Sequence, residues 1–207
     1  MPIQPVDPKL HTFRSPNFES VVQEAINFFI RTPVHPLPPA SPFSAGGVYA
    51  LYYIGSYSLY GRISSRNRKE YLQPIYVGKA VLPGWRTARA ANDSEATSLY
   101  SRLREHARSV EQGQDLDTSD FKTRFMILDG LERDLVVPVE AELIRQFTPL
   151  WNTRIDGFGN HDPGKGRYEQ ARSEWDVLHP GRPWAERLKG DSPRLESIIA
   201  KIKRTRR

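Results

Sequence analysis

The sequence predicts an α+β fold, a small sheet flanked by helices, with helical extensions before and after it. Three observations predict it. Two short β-branched and aromatic runs, Val48–Ile54 and Ile75–Gly78, each lie beside glycine. A third run of this kind covers 121–128, and stretches with apolar residues at i, i+3 and i+4 lie around and between the three.

Taken in order, residues 1–16 read as an extended, proline-containing arm. Asn17 stands at an N-cap position, and Phe18, Val21, Val22, Ala25, Ile26, Phe29 and Ile30 give an amphipathic helix over 18–31. Residues 32–46 carry Pro33, Pro36, Pro38, Pro39 and Pro42 and read as an irregular surface connection. The first strand follows Gly46 and Gly47. Residues 55–73 are polar and carry Arg62, Arg66, Arg68 and Lys69. After the second strand and a loop with Pro83 and Gly84, a helix is predicted over 94–111, capped by Asp93 or Ser94. A helix over 137–147 accommodates Pro138 in its first turn and stops before Pro149. The rest is rich in Gly, Pro and Arg and reads as two or three short helices. The chain thus divides into an arm and helix (1–46), a core (47–152) and a basic extension (153–207).

The 207 residues hold no cysteine, which excludes disulfides, thiolate metal sites and Cys nucleophiles. No apolar run approaches the roughly 18 residues of a membrane span. The N-terminus has no basic segment followed by an apolar stretch, so no signal peptide is expected and the cytoplasm is the expected compartment. The formal net charge of +6, with Arg and Lys crowded at the C-terminus, points modestly to a polyanionic partner.

Polar residues on apolar helix faces carry the chemistry. Around 137–147 the apolar face is set by Val136, Leu143, Ile144 and Phe147, and at roughly 100° per residue Glu140 falls in its middle while Glu142 falls on the solvent side. An inward carboxylate is costly unless it is paired, capped by backbone N–H groups or bound to a metal. In the helix at 94–111, Arg102 and His106 lie one turn apart beside the face set by Leu99, Leu103 and Val110, and Arg104 and Arg108 point away. Two basic groups and a carboxylate aimed at one layer could hold a phosphate and a cation. Tyr49 and Tyr76 stand on neighbouring strands, next to glycines, as packing or as chemistry. Zinc-ligand spacing, phosphate loops and Ser-His-Asp order are absent from the sequence.

Gly47-Val48-Tyr49 and Tyr76-Val77-Gly78 resemble the two tripeptides that name the GIY-YIG nuclease superfamily. Arg102 to His106 is similar to the helix motif of its type II restriction endonuclease branch, the branch cutting CCGCGG. Glu140-Ala-Glu-Leu143-Ile144 followed by Pro149-Leu-Trp-Asn152 is similar to that branch's carboxylate and asparagine segment. Tyr53-Ile54-Gly55 is rejected as the second tripeptide, because Tyr49 and Tyr53 share one strand. The accepted tyrosines are 27 positions apart, so 55–73 reads as an insertion.

The resemblance implies a three-stranded antiparallel sheet between helices and a site cutting duplex DNA at a palindrome. It implies one Mg²⁺ held by Glu140, with Mn²⁺ as a substitute. It implies Tyr49 as general base, Tyr76 on phosphate or water, Arg102 on developing charge, His106 in proton transfer and Asn152 on phosphate or metal. The base role is open among Tyr49, Tyr76 and His106. Arg62, Arg66, Arg68, Lys79 and Arg204 are the candidate DNA contacts. A homodimer on double-stranded DNA is expected, along with a cognate DNA methyltransferase as functional partner. A catalytically silent or nicking DNA- or RNA-binding protein is the alternative.

Overall fold

The computed structural model describes residues 6–81 and 98–204. Among the described residues, β1 (Val34–Pro36), β2 (Gly47–Tyr53), β3 (Tyr76–Ala80) and β4 (Phe121–Ile127) form one antiparallel sheet in the order β1-β4-β2-β3. The three expected strands are present, and β1 adds a short fourth inside the proline-rich connection. β1 pairs Val34–Pro36 with Lys122–Arg124 of β4 at the sheet edge, where a proline's missing N–H is tolerated.

β2 is central, pairing with β4 along Gly47–Tyr53 and with β3 along Gly47–Leu51. All seven of its residues are buried, which is why its sequence shows no polar alternation. Successive side chains still leave on opposite faces. Val48, Ala50 and Tyr52 pack with Val22, Ile26 and Phe29 of α1 (Phe18–Phe29) and Val136, Val139 and Leu143 of α4 (Val136–Phe147). Tyr49, Leu51 and Tyr53 pack with Leu99, Leu103 and Val110 of α3 (Leu99–Gln112). Each fully buried Leu, Ile or Val in these layers contributes about 1.5–3 kcal/mol.

Helix ends show local control. Asn17 precedes α1, but its side chain makes no capping bond. α3 opens at Ser98, whose hydroxyl accepts from the Ser101 N–H at 3.2 Å. The expected caps Asp93 and Ser94 lie outside the described residues, as does the Pro83–Gly84 loop. α4 ends where Thr148 takes a left-handed conformation (φ 42°) and Pro149 prevents continuation.

The segment 55–73 is more than a polar connection. It contains α2 (Gly61–Asn67), and Tyr60 just before it is fully buried in the α3-side core. The Asn67 side chain donates to the carbonyls of Tyr53 (3.0 Å) and Gln73 (2.9 Å) and accepts from the Gln73 N–H (2.9 Å), tying the two ends of the segment together. Hydropathy periodicity cannot register a short helix whose anchoring groups are an amide and one tyrosine. Beyond β4, α5 (Leu150–Thr153), α6 (Glu174–Leu178) and α7 (Leu195–Arg204) bring Trp151, Trp175, Leu178, Ile198 and Ile202 into the same core as Tyr49. The C-terminal third therefore packs on the sheet layer that carries the first tyrosine motif.

Candidate active site

β3 is an edge strand, so residues from both helical layers can meet around it. At that edge opens a cleft of about 570 Å³ lined by Tyr49, Tyr76, Lys79, Ala80, Val81, Arg102, Glu140 and His161. A larger groove, about 730 Å³, runs between α1 and α4 past Phe18, Gln23, Glu142 and Arg145. Among its described lining residues it has no tyrosine or histidine, and chemistry points to the smaller cleft.

Tyr49 reaches the cleft from β2. Its cross-strand neighbour is Gly78, and a Cβ there would lie 2.5 Å from the Tyr49 hydroxyl oxygen. The glycine of the second tripeptide thus makes room for the tyrosine of the first. The Tyr49 hydroxyl meets His106 Nε2 at 2.6 Å, and the Tyr76 ring stands edge-on to the His106 ring. Burial raises the Tyr49 phenol well above its ordinary value, with Tyr76 next and Arg102 opposing. Tyr76 is raised first by burial and then by Glu140. His106 is only 4% exposed. Burial first, then the charges of Arg102, His161 and Arg182, lower it to about 3, so it is neutral at pH 7. A hydrogen bond between a neutral imidazole and an un-ionised phenol follows.

Glu140 lies at the border of the α4 apolar stripe rather than in its middle. Val136, Val139 and Leu143 are the buried residues, and the Glu140 side chain retains 15% exposure toward the cleft. It pairs with Lys79 of β3, itself 38% exposed. Glu142 is less solvated than expected, at 26% exposure, and pairs with Arg145 on the α1 side. Glu140 is the one carboxylate among the described lining residues of the cleft, and no group of three or more metal-ligating side chains occurs among the described residues. A single carboxylate in an open, solvated cleft suits a hard cation that keeps water and phosphate oxygens as its other ligands.

Arg102 donates to Glu105 at 2.8 Å and to His161 Nε2 at 2.6 Å. His161 is not among the residues that the sequence singles out. It sits in an irregular Gly/Pro-rich segment, where no periodicity or spacing marks it.

Asn152, expected on phosphate or metal, is not among the residues that line the cleft. Its amide oxygen accepts from the Val77 N–H and its amide nitrogen donates to the Val77 carbonyl, both at 2.8 Å. It mimics a strand neighbour for β3 and so holds Tyr76 and Gly78 in place. Arg62, Arg66 and Arg68 are exposed on or just after α2, with Arg62 and Arg66 one turn apart beside a groove of about 170 Å³. Arg66 donates to Gln73. Arg204 is exposed at the end of α7. Among the described residues no helix is long and apolar enough to cross a membrane.

A model of the Eco29kI GIY-YIG domain family matches residues 41–206, running through both tyrosine tripeptides, α4 and most of the C-terminal third. No curated protein matches the chain.

Proposed function

The chain belongs to the Eco29kI GIY-YIG domain family and is a nuclease acting on DNA, and from that premise we propose that it is a Mg²⁺-dependent type II restriction endonuclease cutting a palindromic, GC-rich site. The observation that carries the reading is the meeting of Tyr49, Tyr76, Arg102, Glu140 and the Tyr49–His106 hydrogen bond in or beside one cleft.

Burial disfavours a standing phenolate, so Tyr49 works as a relay. Its hydroxyl donates to neutral His106, which leaves phenol lone pairs to accept a proton from the attacking water. As that proton arrives, the phenol proton passes to His106 Nε2, and no isolated phenolate forms. The anionic phosphodiester beside Arg102 offsets the positive charge that depresses His106 and raises its basicity for this step. Arg102 and Lys79 stand where charge accumulates on phosphorus oxygens. Tyr76 hydrogen-bonds phosphate or water, and Asn152 acts through the backbone of β3. Glu140 is the residue that would hold Mg²⁺, or Mn²⁺ in its place, and the bound ion would supply Lewis-acid polarisation of the phosphate. Lys79 pairs with Glu140 in the cleft, and with a cation on that carboxylate its ammonium would be available to phosphate.

Cutting both strands of a palindrome calls for two sites related by a two-fold axis, hence a homodimer on DNA. Exposed Phe13, Phe18, Val21 and Phe28 of the arm and α1 fit its contacts. Arg62, Arg66, Arg68 and Arg204 fit phosphate or guanine contacts. CCGCGG is the proposed target, the cytoplasm the compartment, and a methyltransferase protecting that sequence the functional partner. The test is a digest of a fully known DNA with Mg²⁺, with EDTA, and with Glu140→Ala. Discrete fragments ending at CCGCGG are expected only for the wild type with metal. Unordered degradation, or full cutting by Glu140→Ala, would refute the reading.

A further inference from the structure

We infer that His161 is a positioning residue of the cleavage site, brought there by the C-terminal segment to hold the Arg102 guanidinium in the cleft. The inference rests on the nuclease reading above.

Arginine can only donate, so the 2.6 Å contact from Arg102 requires a lone pair on His161 Nε2 and a neutral ring. Partial desolvation of the ring beside the cleft, followed by Arg102 itself, lowers the basicity of His161 in the same sense. The other partner of the guanidinium, Glu105, is an i+3 neighbour with a 41% exposed side chain. A pair of that kind is worth little and fixes little. His161 supplies an acceptor from a different element, 59 residues away, and directs one edge of the guanidinium toward the cleft that both residues line.

The segment that carries His161 is built to stay put. Arg182 is 1% exposed and forks onto Asp176 with contacts of 2.6 and 2.7 Å. Its remaining donors reach the carbonyls of Gly157 (2.8 Å), Phe158 (3.1 Å) and Asn160 (3.2 Å). The rings of Trp175 and Trp184 each lie 4.6 Å from it. Three carbonyls of one turn are thus held by one buried cation just before His161. Gly159 seats the loop against the site, since a Cβ there would lie 2.7 Å from the Tyr76 hydroxyl. A buried ion pair with every donor satisfied does not explain why this loop ends in an imidazole on Arg102. Positioning of Arg102 does.

The experiment measures single-turnover cleavage of duplex DNA with Mg²⁺, and DNA affinity in EDTA, for full-length His161→Ala, His161→Gln, Arg102→Ala and His161→Ala/Arg102→Ala. Because His161 is exposed and Arg182 anchors the loop, His161→Ala should keep its circular dichroism and melting temperature. The expected result is a rate loss on the order of 10²-fold, the cost of about an ångström of misplacement. Affinity should barely change. The glutamine amide oxygen, which can accept from Arg102, should restore most of the rate, and the double variant should be no slower than Arg102→Ala. Wild-type cleavage with His161→Ala equally fast overturns this inference alone, as does a loss that multiplies with that of Arg102→Ala or that glutamine leaves uncorrected. A wild-type chain that leaves duplex DNA intact overturns the nuclease reading as well.

Discussion

Two buried histidines make the protein acid-labile in a way that can be separated from its carboxylates. His106 is lowered to about 3 by burial first and then by its neighbours, chiefly the Arg102 guanidinium, and His179 to about 4 mainly by burial. His179 Nδ1 lies 2.9 Å from the Gln114 carbonyl, which can only accept, so Nδ1 carries the proton and Nε2 accepts from the Tyr60 hydroxyl at 2.7 Å. Unfolded histidine titrates near 6.5. Between that value and the folded one, the unfolded chain binds a proton that the folded chain refuses. The stability is therefore whole above pH 6.5 and falls as pH drops through the window. At pH 5 the loss is about 2 kcal/mol per histidine, about 4 kcal/mol for both, against a typical total of about 5–15 kcal/mol. The perturbation is His179→Gln, whose amide oxygen can still accept from Tyr60 but which cannot charge. Guanidinium unfolding at pH 7 and pH 5 should show the wild type losing about 2 kcal/mol more than the variant across that interval, with carboxylate effects common to both. His106→Gln should show the same stability signature, but only His106→Gln should also lose cleavage. Equal pH sensitivity of wild type and both variants would refute the claim that burial keeps these rings neutral.

Tyr49→Phe should lower single-turnover cleavage on the order of 10²-fold or more, the lower end of general-base effects, with DNA affinity retained. Tyr53→Phe should instead cost stability, because the Tyr53 hydroxyl accepts from the Tyr57 N–H at 2.8 Å at the start of the α2 segment, and calorimetry should read it. Gly78→Ala should slow cleavage by pushing the Tyr49 ring off His106, and near-normal turnover would show that the pocket can yield. Arg62→Ala/Arg66→Ala should weaken DNA binding and reduce the slope of log affinity against log salt by about one for each phosphate that the arginines neutralise. Sedimentation of the protein–DNA complex should give two chains per site, and one chain with full double-strand cutting would remove the dimer.

The strands at Val48 and Tyr76, the helices on either side and the polar residues on their inner faces are legible in the sequence, because those features are written in local periodicity. The burial of His106 is legible too, since a helix dictates which residues share a face at a spacing of one turn. Glu140 is legible as an inward carboxylate, but its place at the border of the stripe depends on how α4 leans on β3 and Lys79. Asn152 is legible as part of a motif, yet its bond to the Val77 backbone is a pairing across 75 residues that no local pattern encodes. β1 and α2 escape such a reading because a three-residue edge strand and a helix pinned by Asn67 and Tyr60 owe their existence to their partners. His161 escapes it for the same reason. A loop residue acquires meaning only when the packed chain, here through Arg182 and Gly159, sets it against Arg102.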